Sequence, residues 1–207
     1  MEAPEHAPDA PSGERPREES RRKRYARRRD KDISQAIAIW LIAPLAVVLT
    51  VLILVFFVFY EHSTVSGPSM QPTLRDHDYL LATKGLPDPM RGDIVILNVV
   101  AGGVKEEWVK RIVGLPGDRV DVNGDIILVN GAPEQFRHII VTQGATFPVS
   151  HVTVPPGRVF VAGDNRAVSE DSRYVGTFPL TSIRGRVVFI YAPVNRFGPV
   201  SGPTHRP

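Results

Sequence analysis

Residues 119–129 read RVDVNGDIILV, a stretch in which two short runs rich in valine and isoleucine flank Asn123-Gly124. β-Branched residues favour strands, and Asn-Gly tolerates the positive φ angles of a two-residue turn. The stretch therefore predicts a β-hairpin with strands at 119–122 and 126–129. A second pair, Asn130-Gly131, marks the turn that follows.

The same pattern extends along the chain on both sides of this hairpin. Short segments rich in valine and isoleucine are separated by Gly, Pro, Asn and Asp, and from residue 62 onward no segment shows helical periodicity over three turns. Further strands are predicted at 78–83, 93–99, 108–114, 152–154, 158–161 and 183–191. The predicted fold class is mostly β, with an antiparallel β-sheet domain over 62–194.

A long apolar segment precedes the β-rich region. Residues 36–60 read AIAIWLIAPLAVVLTVLILVFFVFY and contain no charged residue. About 20 apolar residues in a helix cross a hydrocarbon core of about 30 Å, and a cleaved signal peptide would have a shorter apolar region. A single N-terminal transmembrane helix is therefore predicted over 34–61. A buried core helix is the alternative, which apolarity on all sides of the helix disfavours.

The positive charge of the chain is concentrated just before this segment. Residues 21–31, RRKRYARRRDK, hold eight basic residues and one acid. Beside a membrane span, such a run favours a cytoplasmic N-terminus and attraction to an anionic bilayer over nucleic-acid binding. We expect a disordered, basic cytoplasmic tail over 1–33, a single pass through the cytoplasmic membrane, an extracytoplasmic β domain, and a flexible C-terminal tail over 195–207.

Composition limits the chemistry open to the β domain. The chain has no cysteine, which excludes thiolate nucleophiles and cysteine-based zinc sites. Its six histidines lack HxxxH or HxH spacing, so no metal site is predicted. His77, within RDHD at 75–78, could be the base of a Ser-His-Asp arrangement or a solvated turn residue.

Two residues are chemically unusual for their surroundings. Ser69 lies among turn formers in SGPSMQPTL at 66–74, and Lys110 interrupts an apolar strand in WVKRIVG at 108–114. If Lys110 is buried, desolvation lowers its pKa, and a neutral lysine can accept a proton from a serine hydroxyl. The alternatives are an ordinary loop serine and an outward-facing lysine.

A third segment, GDNRAVSEDSR at 163–173, packs charges and turn residues together. Such side chains could brace a site through ion pairs or form a surface loop, and their spacing does not decide between the two. The pairs considered are Asp164 and Asp171 with Arg166, Arg173 or Arg111, and Ser169 is a candidate hydrogen-bond donor.

Together and in this order, the segments resemble the bacterial type I signal peptidases, serine peptidases with a Ser-Lys dyad. The family carries Ser-Met-x-Pro-Thr-Leu, matched at 69–74, and Arg-Gly-Asp-Ile-Val, matched at 91–95. It also carries Lys-Arg-x-x-Gly-x-Pro-Gly-Asp, matched at 110–118, and Gly-Asp-Asn-Arg-x-x-Ser-x-Asp-Ser-Arg, matched at 163–173. The resemblance covers about residues 36–193 and favours the short Gram-positive or actinobacterial-like form, since Gly67 stands where many Gram-negative members have a serine.

The resemblance implies a signal-peptidase-like β fold, with Ser69 as nucleophile and Lys110 as general base. It implies that the Ser69 backbone N–H serves the oxyanion hole and that Ser169 hydrogen-bonds the lysine amine. The residues implied for the oxyanion hole and for support are Gly67, Ser169, Arg111, Asp164, Asp171 and Arg173. Those implied for the substrate pocket are Val65, Met70, Leu74, Trp108 and Val109.

The activity implied is removal of N-terminal signal peptides from exported preproteins after an Ala-x-Ala-like site, through an acyl-enzyme and without a metal or organic cofactor. The expected partners are those signal peptides, the lipid bilayer and the secretion translocon. Two alternatives stay open. One is a self-cleaving Ser-Lys protein of the repressor type, disfavoured by the apolar segment and by the lack of a DNA-binding region. The other is a membrane-tethered binding module that keeps the fold without activity.

Overall fold

The computed structural model describes residues 21–22, 24–25, 35, 37–136, 138–141 and 146–200. Its contacts group the chain into two units, Met1–Val55 and Phe56–Pro207. The tail expected over 1–33 lies outside the described residues except for 21–22 and 24–25, which are helical rather than irregular. Residues 201–207 of the expected C-terminal tail also lie outside them.

The apolar segment forms a helix. A π-helical turn at Ala38–Ile42 leads into α1, Ala43–Phe59. Pro44 stands at the change from π to α geometry, where a missing backbone N–H is tolerated. No described side chain of Ala38–Phe59 is buried, and the helix is long and apolar enough to cross a membrane. The predicted span of 34–61 contains this helix and extends beyond it at both ends.

The β domain is built from twelve strands among the described residues. They are β1 (Tyr60–Thr64), β2 (Tyr79–Lys84), β3 (Ile94–Ala101), β4 (Val104–Gly114), β5 (Arg119–Asn123), β6 (Ile126–Val129), β7 (Ala132–Pro133), β8 (His151–Thr153), β9 (Arg158–Ala162), β10 (Phe178–Pro179), β11 (Ile183–Ala192) and β12 (Gly198–Pro199). One short helix, α2 (Ser172–Val175), follows β9.

These strands form two antiparallel sheets. The larger has the order β1-β2-β11-β3-β4-β9-β10, with β12 beside β11, and the smaller has the order β7-β6-β5-β8. Every strand pair in the two sheets is antiparallel. The mostly β, antiparallel fold predicted from the sequence is confirmed.

The differences from the predicted elements lie at turns and short strands. In the β5–β6 hairpin Asn123 pairs with Ile126, so the turn residues are Gly124-Asp125, one position later than predicted. Strands β1, β7, β10 and β12 were not predicted. Because β1 begins at Tyr60, directly after α1, the β domain starts before residue 62. A 3-10 turn at Val194–Arg196 and strand β12 are also part of the fold, although the flexible tail was expected from 195.

Among the described residues, buried apolar side chains form three clusters within the β domain. The first packs Met70 and Leu74, from the loop between β1 and β2, against Leu80 and Ile94 of β2 and β3. The second joins β3, β4, β9, β10 and β11, and the third lies between β9 and the smaller sheet. Strand β4 runs between β3 and β9 at the centre of this arrangement, and the loop containing residue 69 is anchored on the first cluster.

Candidate active site

Ser69 lies in the loop between β1 and β2, which turns tightly on itself. Gln71 N donates to Pro68 O at 3.1 Å, and Leu74 N donates to Met70 O at 2.9 Å. Met70 and Leu74 are 1% and 0% exposed, so burial of two apolar side chains ties the loop to the core on either side of its polar residues. The serine is therefore presented by a fixed turn rather than by a free loop.

Lys110 lies on β4, and its side chain is brought to this serine. The residue is 5% exposed, and its Nζ lies 3.0 Å from Ser69 Oγ, across 41 positions of sequence. The alternative that Lys110 faces outward is therefore wrong. The indole ring of Trp108, two positions earlier on the same face of β4, has its centroid 5.3 Å from Nζ.

Burial changes the acidity of this lysine. The pKa of Lys110 falls from the ordinary 10.5 to about 8, chiefly because desolvation disfavours the ammonium. The carboxylates of Asp171 and Glu170 act in the opposite direction, and the charge of Arg173 lowers the pKa further. With a pKa of about 8, roughly a tenth of the amines are neutral at pH 7. The amine is thus poised to accept a proton near neutral pH.

The backbone of Ser69 is held from the segment at 163–173. Asn165 N donates to Ser69 O at 2.9 Å, and a Cβ on Gly163 would come within 2.5 Å of the same carbonyl oxygen. Glycine at 163 thus allows the two segments to meet. The Ser69 N–H donates to no group in the described part of the chain, which leaves it available to an oxyanion.

The backbone N–H of Gly67, expected to support the oxyanion hole, is bonded elsewhere. Its N–H donates to Asp76 Oδ1 at 2.8 Å, within the same loop. It also has a φ of +89° with open space where a side chain would begin. Gly67 therefore serves the turn geometry of the loop, because its one backbone donor is already engaged.

Ser169 is adjacent to the site but does not make the expected hydrogen bond. Its hydroxyl is buried without a hydrogen-bond partner among the described residues, so it does not bond to the Lys110 amine here. The side chain instead packs against Gly163, beside the carbonyl of Ser69.

Four of the five charged residues of 163–173 are buried and paired, namely Asp164, Arg166, Asp171 and Arg173, which excludes the surface-loop alternative for them, whereas Glu170 is exposed. Asp164, 0% exposed, accepts two hydrogen bonds from Arg111, at 2.7 and 2.6 Å, and one from Thr73 at 2.5 Å. Because Arg111 adjoins the lysine and Thr73 belongs to the serine loop, Asp164 joins the two segments that meet at the site.

A second set of pairs holds the segment itself. Asp171 caps α2 through Arg173 N and also accepts from the Arg173 guanidinium at 2.8 Å. Arg173 reaches Asp125 at 3.0 Å, and Arg166 pairs with Glu134. Desolvation raises the pKa of Glu134. Asp125 lies in the β5–β6 turn and Glu134 directly after β7, and both were missed from the sequence because they are distant along the chain and carry no local signal.

An open cleft of about 530 Å³ borders Ser69 and Lys110. Its walls include four of the five predicted pocket residues, Val65, Met70, Trp108 and Val109. Leu74 does not line the cleft, because its side chain is fully buried in the first core cluster. Lining residues not predicted from the sequence are Thr64, Ser66, Glu106, Glu107, Val168 and Glu170.

His77 does not have the geometry of a catalytic base. Its side chain is 84% exposed, its φ is +65°, and its ring nitrogen lies 3.2 Å from Asp76 in the neighbouring position. The solvated turn residue is the interpretation that the structure supports. Within the described residues, no group of histidine, cysteine, aspartate or glutamate side chains could hold a metal ion.

Comparison with known proteins identifies the family. Residues 37–192 match the family described as signal peptidase, peptidase S26. The chain belongs to this family. It is 36% identical over 173 residues to a signal peptidase I of Bacillus caldolyticus, which covers 76% of this chain and 91% of the relative. It is also 34% identical over 172 residues to a probable signal peptidase I-1 of Synechocystis, and this match covers 79% of this chain and 87% of the relative.

Among solved structures, the chain is similar to the crystal structure of a signal peptidase I from Enterococcus faecalis. The identity is 28% and the TM-score 0.40, over 49% of this chain and 98% of that one. Membership of the family makes the chain a serine peptidase, a hydrolase with signal peptidase I activity.

Proposed function

We propose that the chain is a membrane-anchored signal peptidase I in which Ser69 is the nucleophile and Lys110 the general base. The observation that carries this proposal is the 3.0 Å approach of a lysine amine, 5% exposed, to Ser69 Oγ. A buried amine with its pKa lowered to about 8 can take the serine proton without a histidine.

Peptide cleavage would proceed in two steps at this pair. Neutral Lys110 removes the proton of Ser69 Oγ as the oxygen attacks the scissile carbonyl carbon, and the oxyanion formed accepts from Ser69 N–H. Collapse of this tetrahedral intermediate breaks the scissile C–N bond and leaves the signal peptide as an ester on Ser69. The lysine ammonium gives its proton to the departing amine. Neutral Lys110 then deprotonates a water molecule that hydrolyses the ester, which releases the signal peptide and restores the serine.

The cleft offers an edge for an extended substrate. Strand β4 pairs with β3 along residues 104–111, but its pairing with β9 begins at Arg111. On that side, residues 104–110 face no strand in the described part of the chain, so their backbone groups can pair with a substrate strand. Val65, Met70 and Val109 give the cleft an apolar floor suited to small side chains, which supports cutting after Ala-x-Ala.

We further propose the membrane arrangement expected from the sequence, with a β domain that begins at Tyr60 rather than at 62 and extends through β12 rather than ending at 194. The helix at Ala38–Phe59 is the anchor, the basic residues before it remain cytoplasmic, and the β domain lies outside the cytoplasm. The bilayer is then a permanent partner, and the secretion translocon is the proposed source of preprotein.

The activity is tested with detergent-solubilised full chain and a preprotein that carries an Ala-x-Ala site. We expect the wild type to cut after the final alanine, as located by mass spectrometry, and Ser69→Ala and Lys110→Ala to be inactive. Ser182→Ala and Lys84→Ala are controls outside both the cleft lining and the proposed substrate edge, and they should retain activity. Cleavage by either active-site variant at the wild-type rate would contradict the dyad.

Orientation is tested separately, because the chain has no cysteine and any introduced thiol is unique. In intact cells, a membrane-impermeant maleimide should label Lys105→Cys in the β domain but label Ser20→Cys in the basic tail only after lysis. The reverse pattern would refute the proposed topology.

A further inference from the structure

Arg196 makes a set of contacts that neither the family match nor the sequence motifs cover. It closes the 3-10 turn at Val194–Arg196, beyond the matched residues 37–192. Its Nε lies 2.9 and 3.1 Å from the two carboxylate oxygens of Asp78, and its Nη2 lies 2.8 Å from Asp78 Oδ2. Nη2 also donates to the carbonyl of Thr73 at 2.9 Å. The Asp78 side chain is 1% exposed, so this is a largely desolvated pair.

Asp78 closes the loop that carries Ser69. Its Oδ2 accepts from Arg75 N at 2.8 Å, and its backbone carbonyl accepts from Val65 N at 2.9 Å. The loop from 65 to 78 is therefore closed by Asp78, and Asp78 is the residue that Arg196 binds. A buried carboxylate needs such a cation, because an unpaired buried charge is strongly unfavourable.

Thr73 is held from two directions within the same loop. Its hydroxyl donates to Asp164, which is paired with Arg111 next to the proposed base, and its carbonyl accepts from Arg196. Two arginine-carboxylate pairs therefore fix the loop, one from the side of Lys110 and one from the C-terminal turn. Loss of the second pair would leave the loop tied to the lysine side alone.

The same arrangement occurs at two other turns of the domain. Asp93 accepts from Met90 N and pairs with Arg186, and Asp118 accepts from Leu115 N and pairs with Arg91. In each case the aspartate bonds to the backbone N–H three positions earlier, while an arginine neutralises it. These two turns do not carry the proposed nucleophile. Variants there show what loss of an arginine–aspartate pair does to stability alone, without an effect on catalysis.

We propose that Arg196 is a positioning residue for the peptidase reaction, acting through Asp78 and Thr73 to hold Ser69 at the right distance from Lys110. The proposal rests on the proposed roles of Ser69 and Lys110. Nucleophile and base must keep hydrogen-bond distance for proton transfer, and a misplacement of about 1 Å can cost about a hundredfold in rate.

The test measures kcat and KM of the full chain in detergent for Arg196→Ala and Arg196→Lys, with Arg91→Ala as the control. Each kcat is divided by the fraction of molecules whose Ser69 an acylating inhibitor can modify, so that only folded protein is counted. We expect Arg196→Ala to lower kcat by about tenfold to a hundredfold with KM changed less than about twofold. Lysine keeps the charge but cannot bind Asp78 and the Thr73 carbonyl in the same forked geometry, so Arg196→Lys should lie between. The Arg91 side chain is 46% exposed against 18% for Arg196, so Arg91→Ala should lower the melting temperature by less, with kcat within about twofold of wild type.

A wild-type kcat in Arg196→Ala, or an equal loss of kcat in Arg91→Ala, would overturn the proposal. If Arg196→Ala does not fold, Arg196→Lys decides, and an unchanged kcat in that variant counts against a positioning role. If the wild type fails to cut the preprotein, the proposed function fails instead. The Arg196 variants are then judged by how fast a serine-directed acylating inhibitor modifies Ser69, which should slow by the same factor.

Discussion

Replacing Lys110 with methionine is expected to abolish cleavage and at the same time to stabilise the β domain. The methionine side chain is similar in length and apolar, so it fills the site without the charge. At pH 7 the wild type holds mostly ammonium in a place that is 5% exposed. Lowering the pKa of Lys110 from 10.5 to about 8 corresponds to about 3 kcal/mol of lost stability at pH 7.

The pH dependence of this difference has a definite sign. Between pH 8 and 10.5 the unfolded chain binds more protons at Lys110 than the folded chain, so the free energy of unfolding of the wild type rises with pH. Titratable groups other than Lys110 contribute equally to the pH dependence of unfolding in the wild type and in Lys110→Met, so their contributions cancel in the difference. The advantage of the variant should therefore fall from about 3 kcal/mol at pH 7 to below about 1 kcal/mol at pH 10.

The assay is urea denaturation of the detergent-solubilised full chain at pH 7 and pH 10, followed by pulse proteolysis of the β domain. Lys105→Met is the control, because this exposed lysine lies on the same strand and its loss should change stability by less than about 0.5 kcal/mol. Equal stability of wild type and Lys110→Met at pH 7, or a difference that does not change with pH, would refute the reasoning from desolvation.

Two further changes near the site have expected outcomes. The carboxylate of Glu170 raises the pKa of Lys110, so in Glu170→Gln the rise of kcat/KM with pH should move to lower pH, and a shift to higher pH would be contrary evidence. In Gly163→Ala the new Cβ would come within 2.5 Å of the Ser69 carbonyl, so kcat should fall at least about tenfold, whereas Gly198→Ala, with open space, should match wild type. Equal kcat in these two alanine variants would show that close approach at residue 163 is not required.

The strands were largely predictable because each carries its own local signal. The valine- and isoleucine-rich runs at 94–101 and 183–192 form strands β3 and β11 with small shifts at their ends. Strand β1 was missed because Tyr60 continues the apolar segment and Glu61-His62 have little strand preference of their own. Its strand form depends on pairing with β2, a tertiary effect that local preference does not contain.

At the site, residue types were predictable but their contacts were not. Ser69 and Lys110 could be chosen by resemblance, yet their 3.0 Å approach joins positions 41 apart and depends on the sheet. The partners of Arg166 and Arg173, which flank strands of the smaller sheet, were missed for the same reason. Gly67 and Ser169 show the converse, since the residues implied by the family are present but their polar groups are engaged differently or left unpaired.

The ion pairs around Ser69 are built from arginine and aspartate, and their cations differ in acidity from the lysine beside the serine. Arginine side chains are not deprotonated in proteins, whereas the pKa of Lys110 is lowered to about 8. A rise in pH can therefore neutralise Lys110 while arginine side chains keep their charge. A framework built from lysine or histidine would titrate together with the group it supports, and activity and architecture would then compete for the same protons.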